Sequence, residues 1–169
     1  MSDSFTRIIP EDPLFLPTPE AENLAVSLLR AYLPEEDRMN VTATFFDSIQ
    51  FVDQGENFER ILCPFCRKEI SDSDWGAWLD RAAIDISPPG SLARYLSGFA
   101  DLTGTTPCCG RLTDLNSLIY EWPAGFASFV LETMNPHIGD HIGGFLPDEL
   151  CAAIAKALGC PVRQVCAHY

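Results

Sequence analysis

The chain has 169 residues, with 24 Asp and Glu against 11 Lys and Arg and a formal charge of −13. That balance argues against a nucleic-acid backbone as partner, because affinity for phosphates comes from Lys and Arg neutralising them; a partner chosen by electrostatics is basic. At this length, with 47% hydrophobic residues, the sequence predicts one domain whose core needs no help from disulfides.

Met1-Ser2-Asp3-Ser4-Phe5 lacks the basic region and apolar core of a secretory signal. No stretch approaches the roughly 18 apolar residues that a membrane span needs. Seven cysteines, an odd number that includes one adjacent pair, suit a reducing compartment better than a disulfide framework. The expected location is the cytoplasm.

Residues 1–17 carry Pro10, Pro13 and Pro17 among apolar residues and are expected to form an extended arm lying across the surface. Residues 18–169 are expected to form a single α+β domain. Thr18-Pro19-Glu20 reads as a helix start, with a capping hydroxyl, a proline in the first turn and an acid near the positive end of the dipole. Ala21, Leu24, Ala25, Leu28 and Tyr32 follow at helical spacing, and Pro34 ends the run. From Val41 to Val52 the pattern becomes alternating, which predicts a strand or tight hairpin in which Asp47 marks a turn.

Ser71 to Asp74 offers several N-caps ahead of Trp75, Trp78, Leu79 and Ala82, an amphipathic helix of about three turns. Ser87-Pro88-Pro89-Gly90 breaks the chain, and a short strand is expected around Phe99–Leu102. Asp114 to Ser117 reads as a turn or short helix. Phe126–Met134 is the clearest strand of the sequence. Residues 135–146 read as a glycine-rich loop, Pro147-Asp148-Glu149 opens a last helix that Gly159 caps, and Val162–Tyr169 closes as a strand. The sum predicts an α+β fold, with a mixed or antiparallel sheet, helices on one face and an inserted pair of cysteine turns.

Those turns are Cys63-Pro64-Phe65-Cys66 and Thr105-Thr106-Pro107-Cys108-Cys109-Gly110. Two thiols separated by a proline-containing pair of residues point at one spot, which most often holds tetrahedral Zn²⁺. The pair resembles a zinc-ribbon or zinc-knuckle site, with two departures. Arg67 follows the first turn where a small residue or glycine is common. Aligning the turns puts Thr106 where a first cysteine belongs, Cys108 at the variable position and Cys109 in the last place. The expected ligand set is Cys63, Cys66, Cys108 and Cys109; if Cys108 does not reach, the fourth comes from Cys160, Cys166, His168, His137 or His141. Four protein ligands leave no open position for water, so the metal is expected to be structural.

The sequence holds no phosphate-binding glycine loop, nucleophile elbow, His-Glu-x-x-His helix or dinucleotide fingerprint. It is therefore read as a non-enzymatic, zinc-stabilised protein that binds a basic protein partner. At class level only, it is similar to the immunity proteins and adaptors of bacterial toxin and secretion systems. Glu11-Asp12, Glu35-Glu36-Asp37, Asp72 and Asp74 are candidate contacts. The rival reading is a small enzyme or thiol-redox protein using His137, Asp140 and His141 or the free cysteines. A thioredoxin-like role for Cys63 and Cys66 would need a helix starting at the motif, and Arg67 to Ser71 leaves little room for one. A nucleic-acid regulator would need a basic patch larger than Arg60, Arg67 and Lys68. Trp75, Trp78 and Trp122 read as core before they read as a binding surface.

Overall fold

The computed structural model describes residues 2–169. In chain order the elements begin with β1 (Ser4–Pro10), α1 (Pro19–Tyr32), a 3-10 helix (Glu35–Asn40), β2 (Val41–Val52) and β3 (Ile61–Leu62). Next come α2 (Asp72–Ala82), α3 (Leu92–Leu96), β4 (Thr103–Thr105), β5 (Leu112–Asp114), a 3-10 turn (Leu115–Ser117) and β6 (Ile119–Tyr120). The chain finishes with β7 (Gly125–Met134), β8 (His137–Ile138), β9 (His141–Ile142), α4 (Asp148–Leu158) and β10 (Val162–His168).

The fold is α+β. Its main sheet has the order β10-β1-β7-β2, and every pairing in it is antiparallel. Helices α1 and α4 pack together on one face, where Ala25, Leu29, Ile154 and Leu158 close over Ile8, Phe129 and Leu131. Local chemistry accounts for both helices. The Thr18 hydroxyl accepts from Ala21 N at the start of α1, supplying one of the partners that a helix N-terminus lacks. Gly159 ends α4 at φ 82°, the left-handed cap that glycine adopts without strain.

The N-terminal segment corrects the sequence reading. Residues 4–10 are extended, as expected, but they form an inner strand and do not lie over the surface. β1 is hydrogen-bonded to β10 on one side and β7 on the other, and Ile8 and Ile9 are fully buried. Beyond it the chain runs on beside the sheet, with Ser128 N donating to Pro13 O at 2.8 Å.

β2 and β7 are neighbours, yet residues 53–124 lie between them in sequence. That insert builds its own core around Ile61, Cys63, Ile70, Trp78, Leu79, Phe99, Leu115 and Tyr120, and joins the sheet through Ile49 and Phe126. β7 is buried for most of its length, with Phe129 and Leu131 against the α1/α4 core, Phe126 against the insert, and Ala127 and Val130 in a third cluster with Ile9, Val52 and Val165, so alternating burial is not its pattern. Asn116 fastens the junction: its side chain donates to Glu11 O at 2.8 Å and accepts from Phe126 N at 2.9 Å.

Smaller differences have local causes. The register of β2 against β7 shifts between Phe45 and Gln50, so Asp47 sits in a bulge inside one long strand. Phe99 makes single bridges to Ile49 and Ala83, and the strand leading to the second cysteine turn is Thr103–Thr105. Within 135–146 the chain forms the β8–β9 hairpin. No helix among the described residues is long and apolar enough to cross a membrane.

Candidate metal centre

Each cysteine turn is the tip of a tight hairpin, and the two are built alike. In the first, Cys63 N donates to Lys68 O at 2.9 Å and Arg67 N to Cys63 O at 3.1 Å. In the second, Thr106 N donates to Arg111 O at 2.9 Å and Gly110 N to Thr106 O at 2.8 Å. The left-handed residue falls at matching places, Arg67 at φ 61° and Gly110 at φ 67°. Arg67 therefore holds a backbone conformation that favours glycine, so the first departure from the resembled pattern changes the residue and leaves the turn's shape intact. Thr106 corresponds to Cys63, and it is as deeply buried, at 1% exposure against 0%.

Pairing of β3 with β6 and of β4 with β5 roots these tips in the insert core, and the tips bring all four sulfurs together. Cys63 Sγ lies 3.8 Å from Cys109 Sγ and Cys66 Sγ 3.3 Å from Cys108 Sγ. The four sulfurs all lie within 4.8 Å of one another. These separations are too long for a disulfide, whose sulfurs sit about 2.05 Å apart, and all seven cysteines are free. They suit a shared cation: zinc–sulfur bonds of about 2.3 Å in a tetrahedron give edges of about 3.8 Å. Cys63 is buried, Cys108 half-buried, and Cys66 and Cys109 exposed.

The electrostatics of the donor set suit a cation. Burial raises the Cys63 thiol, but N–H groups of Cys66 and Phe65 and the thiols of Cys108 and Cys66 outweigh it and bring it down to about 6. Cys108 is pushed up to about 12 by burial, by hydrogen bonding to Cys66 and Cys63 and by their charge. One sulfur is thus held as thiolate while its neighbour resists ionising, as expected where like charges crowd. A divalent cation removes that conflict. Around the cluster, Thr106 Oγ1 lies 3.1 Å from Cys109 Sγ, Phe65 N donates to Cys63 Sγ at 3.4 Å, and the Arg111 guanidinium stacks 4.0 Å from the Phe65 ring centroid.

The remaining sequence-selected residues lie apart from this cluster. Among the described residues no second group of metal-ligating side chains forms around Cys160, Cys166 and His168. His137 and His141 occupy the β8–β9 hairpin and are exposed. His137 has a partner that sequence reasoning missed: its ring Nδ1 lies 3.0 Å from Oδ2 of Asp37, and its N–H donates to the same oxygen at 2.7 Å. Asp37 is 4% exposed, so one residue of the presumed surface cluster Glu35-Glu36-Asp37 is internal. Trp78 is buried and Trp75 packs 5.3 Å from Phe51.

Fold and site together define an α+β protein with a four-cysteine cluster of metal-binding geometry. No protein-family model, no curated protein and no solved structure matches the chain.

Proposed function

We propose that Cys63, Cys66, Cys108 and Cys109 hold a structural Zn²⁺ and that the protein is a non-enzymatic cytoplasmic binding module for a basic protein partner. The observation that carries the metal reading is the convergence of four reduced sulfurs from two hairpins onto one point. Four thiolates saturate a tetrahedral ion, so the metal holds the insert together and activates no water. When bound it supplies positive charge and cross-linking; the protein's residues supply the shape.

Binding is the favoured role because the chain is strongly acidic at −13 and its charge is free to act. Among the described residues only four ion pairs form, at Arg7–Glu132, Arg60–Glu121, Arg94–Asp80 and His137–Asp37. The excess of carboxylates faces solvent and steers basic partners. This is the strategy of acidic immunity proteins and adaptors, at the level of class alone.

Capture with tagged protein from native extract tests it. A stoichiometric basic partner that elutes as salt is raised from about 0.1 to 1 M supports the reading. Capture of nothing, or of acidic proteins alone, contradicts it.

A further inference from the structure

The insert leaves an apolar groove that the chain does not fill. It encloses about 390 Å³ and is lined by Phe58, Asp72, Trp75, Gly76, Leu79 and Tyr95. Phe58 is 40% exposed, and on the same short helix as Tyr95 the side chains of Leu92 and Leu96 are 71% and 68% exposed. Apolar surface left open in this way is unusual without a use.

Charge says what fits there. Asp72 stands on the groove wall, Asp74 follows on α2, and Glu56 and Glu59 flank Phe58; all four are exposed. None of them joins an ion pair among the described residues. Arg60 is engaged by Glu121 and Arg94 by Asp80, and no Lys or Arg lines the groove.

Gly76 adds an independent observation. It sits inside α2, where glycine weakens a helix. A Cβ built on it would meet nothing within 4 Å, so no atom of this chain requires the side chain to be missing. As a lining residue without a Cβ, it leaves room for the close approach of a second backbone.

We propose that the groove between α2, α3 and Phe58 docks an amphipathic helical segment of a partner protein. The segment inserts an apolar side chain against Trp75 and Leu79 and sets Lys or Arg beside Asp72, Asp74, Glu56 and Glu59, a helix-in-groove mode of recognition. This rests on the reading of the protein as a binding module for a basic partner, and gives that reading a place.

Helical 15-residue peptides carrying Leu at i, i+3 and i+7 with Lys and Arg between them are the probe, with Glu-substituted counterparts as control. Binding is read by fluorescence anisotropy and located by NMR shifts of the Gly76 amide and Trp75 indole. Basic peptides are expected to bind and acidic ones not, with both reporters shifting. Gly76→Ala is expected to raise Tm and weaken binding at least tenfold, and Asp72→Lys with Asp74→Lys to weaken it without unfolding. Equal binding of acidic peptides, unchanged binding in Gly76→Ala, or no binding by either set overturns the groove. The two readings fail separately: a basic partner still captured from extract by Gly76→Ala removes this groove and leaves the binding module standing.

Discussion

Thr106 occupies in the second hairpin the place that Cys63 holds in the first, with its Oγ1 3.1 Å from Cys109 Sγ. The sulfur missing at that place is made up by Cys108, one residue before Cys109, whose Sγ lies 3.3 Å from Cys66 Sγ. Cys108→Ser is therefore expected to weaken metal binding by more than the roughly 10–100-fold that an outer-sphere change costs. Adding Thr106→Cys to that variant restores a sulfur from the equivalent hairpin position and is expected to recover most of the affinity. Competition with a chromophoric chelator measures both. A double variant no better than Cys108→Ser would break the equivalence of the two hairpins.

The metal-free cluster sets a pH dependence of opposite signs. A folded-state pKa lowered to about 6 at Cys63 contributes stability above the ordinary thiol value of about 8.5, lost as pH falls through 6. A value raised to about 12 at Cys108 contributes stability below about 8.5 that is lost as pH rises. Chelator-treated protein should melt highest near pH 8.5 and lower on both sides, whereas zinc-loaded protein should lose the alkaline decline. Since Cys63 is already largely thiolate, metal uptake at about pH 7.5 should release fewer than four protons, a number that calorimetry in two buffers reads directly.

Much of this was legible in the sequence because it is written locally. The Thr18 cap, the Gly159 cap and the spacing of Trp78, Leu79 and Ala82 each need only a few neighbouring residues. The same holds for the Cys63–Cys66 and Cys108–Cys109 turns, whose spacing is that of paired metal-ligand turns and whose four sulfurs the fold brings within 4.8 Å of one another. What was not legible depends on distant pairing. The place of Ser4–Pro10 between β10 and β7 is set by strands over 120 residues away, and Pro10, Pro13 and Pro17 look like loop punctuation although Pro10 is still the last residue of the strand. The Asp37–His137 pair spans 100 residues, so an acidic run and a glycine-rich loop each looked like plain surface.

Gly104 and Gly76 should respond oppositely to the same change. A Cβ on Gly104 would run into Cε2 and Cζ2 of Trp78, a ring only 2% exposed that cannot move aside. Gly104→Ala is expected to cost about 1–3 kcal/mol through overpacking, and Gly76→Ala to gain about 0.5–1 kcal/mol in a helix interior. Urea titrations of the two variants compare them.

Arg111 clasps the hairpins from outside, its guanidinium 4.0 Å from the ring centroid of Phe65. Phe65 is 38% exposed, so the interaction is worth about 0.5–1 kcal/mol. A double-mutant cycle of Phe65→Leu and Arg111→Gln in metal-loaded protein should return a coupling of that size, and additivity would show that the contact contributes nothing.

Whether two distant hairpins share one ion on four sulfurs is read in one step by native mass spectrometry combined with thiol alkylation. Protein purified under reducing conditions should carry one zinc per chain, with Cys63, Cys66, Cys108 and Cys109 resisting alkylation until a chelator is added. A metal-free mass, with exposed Cys66 and Cys109 alkylating at once and melting unchanged by serine at the four positions, would contradict it.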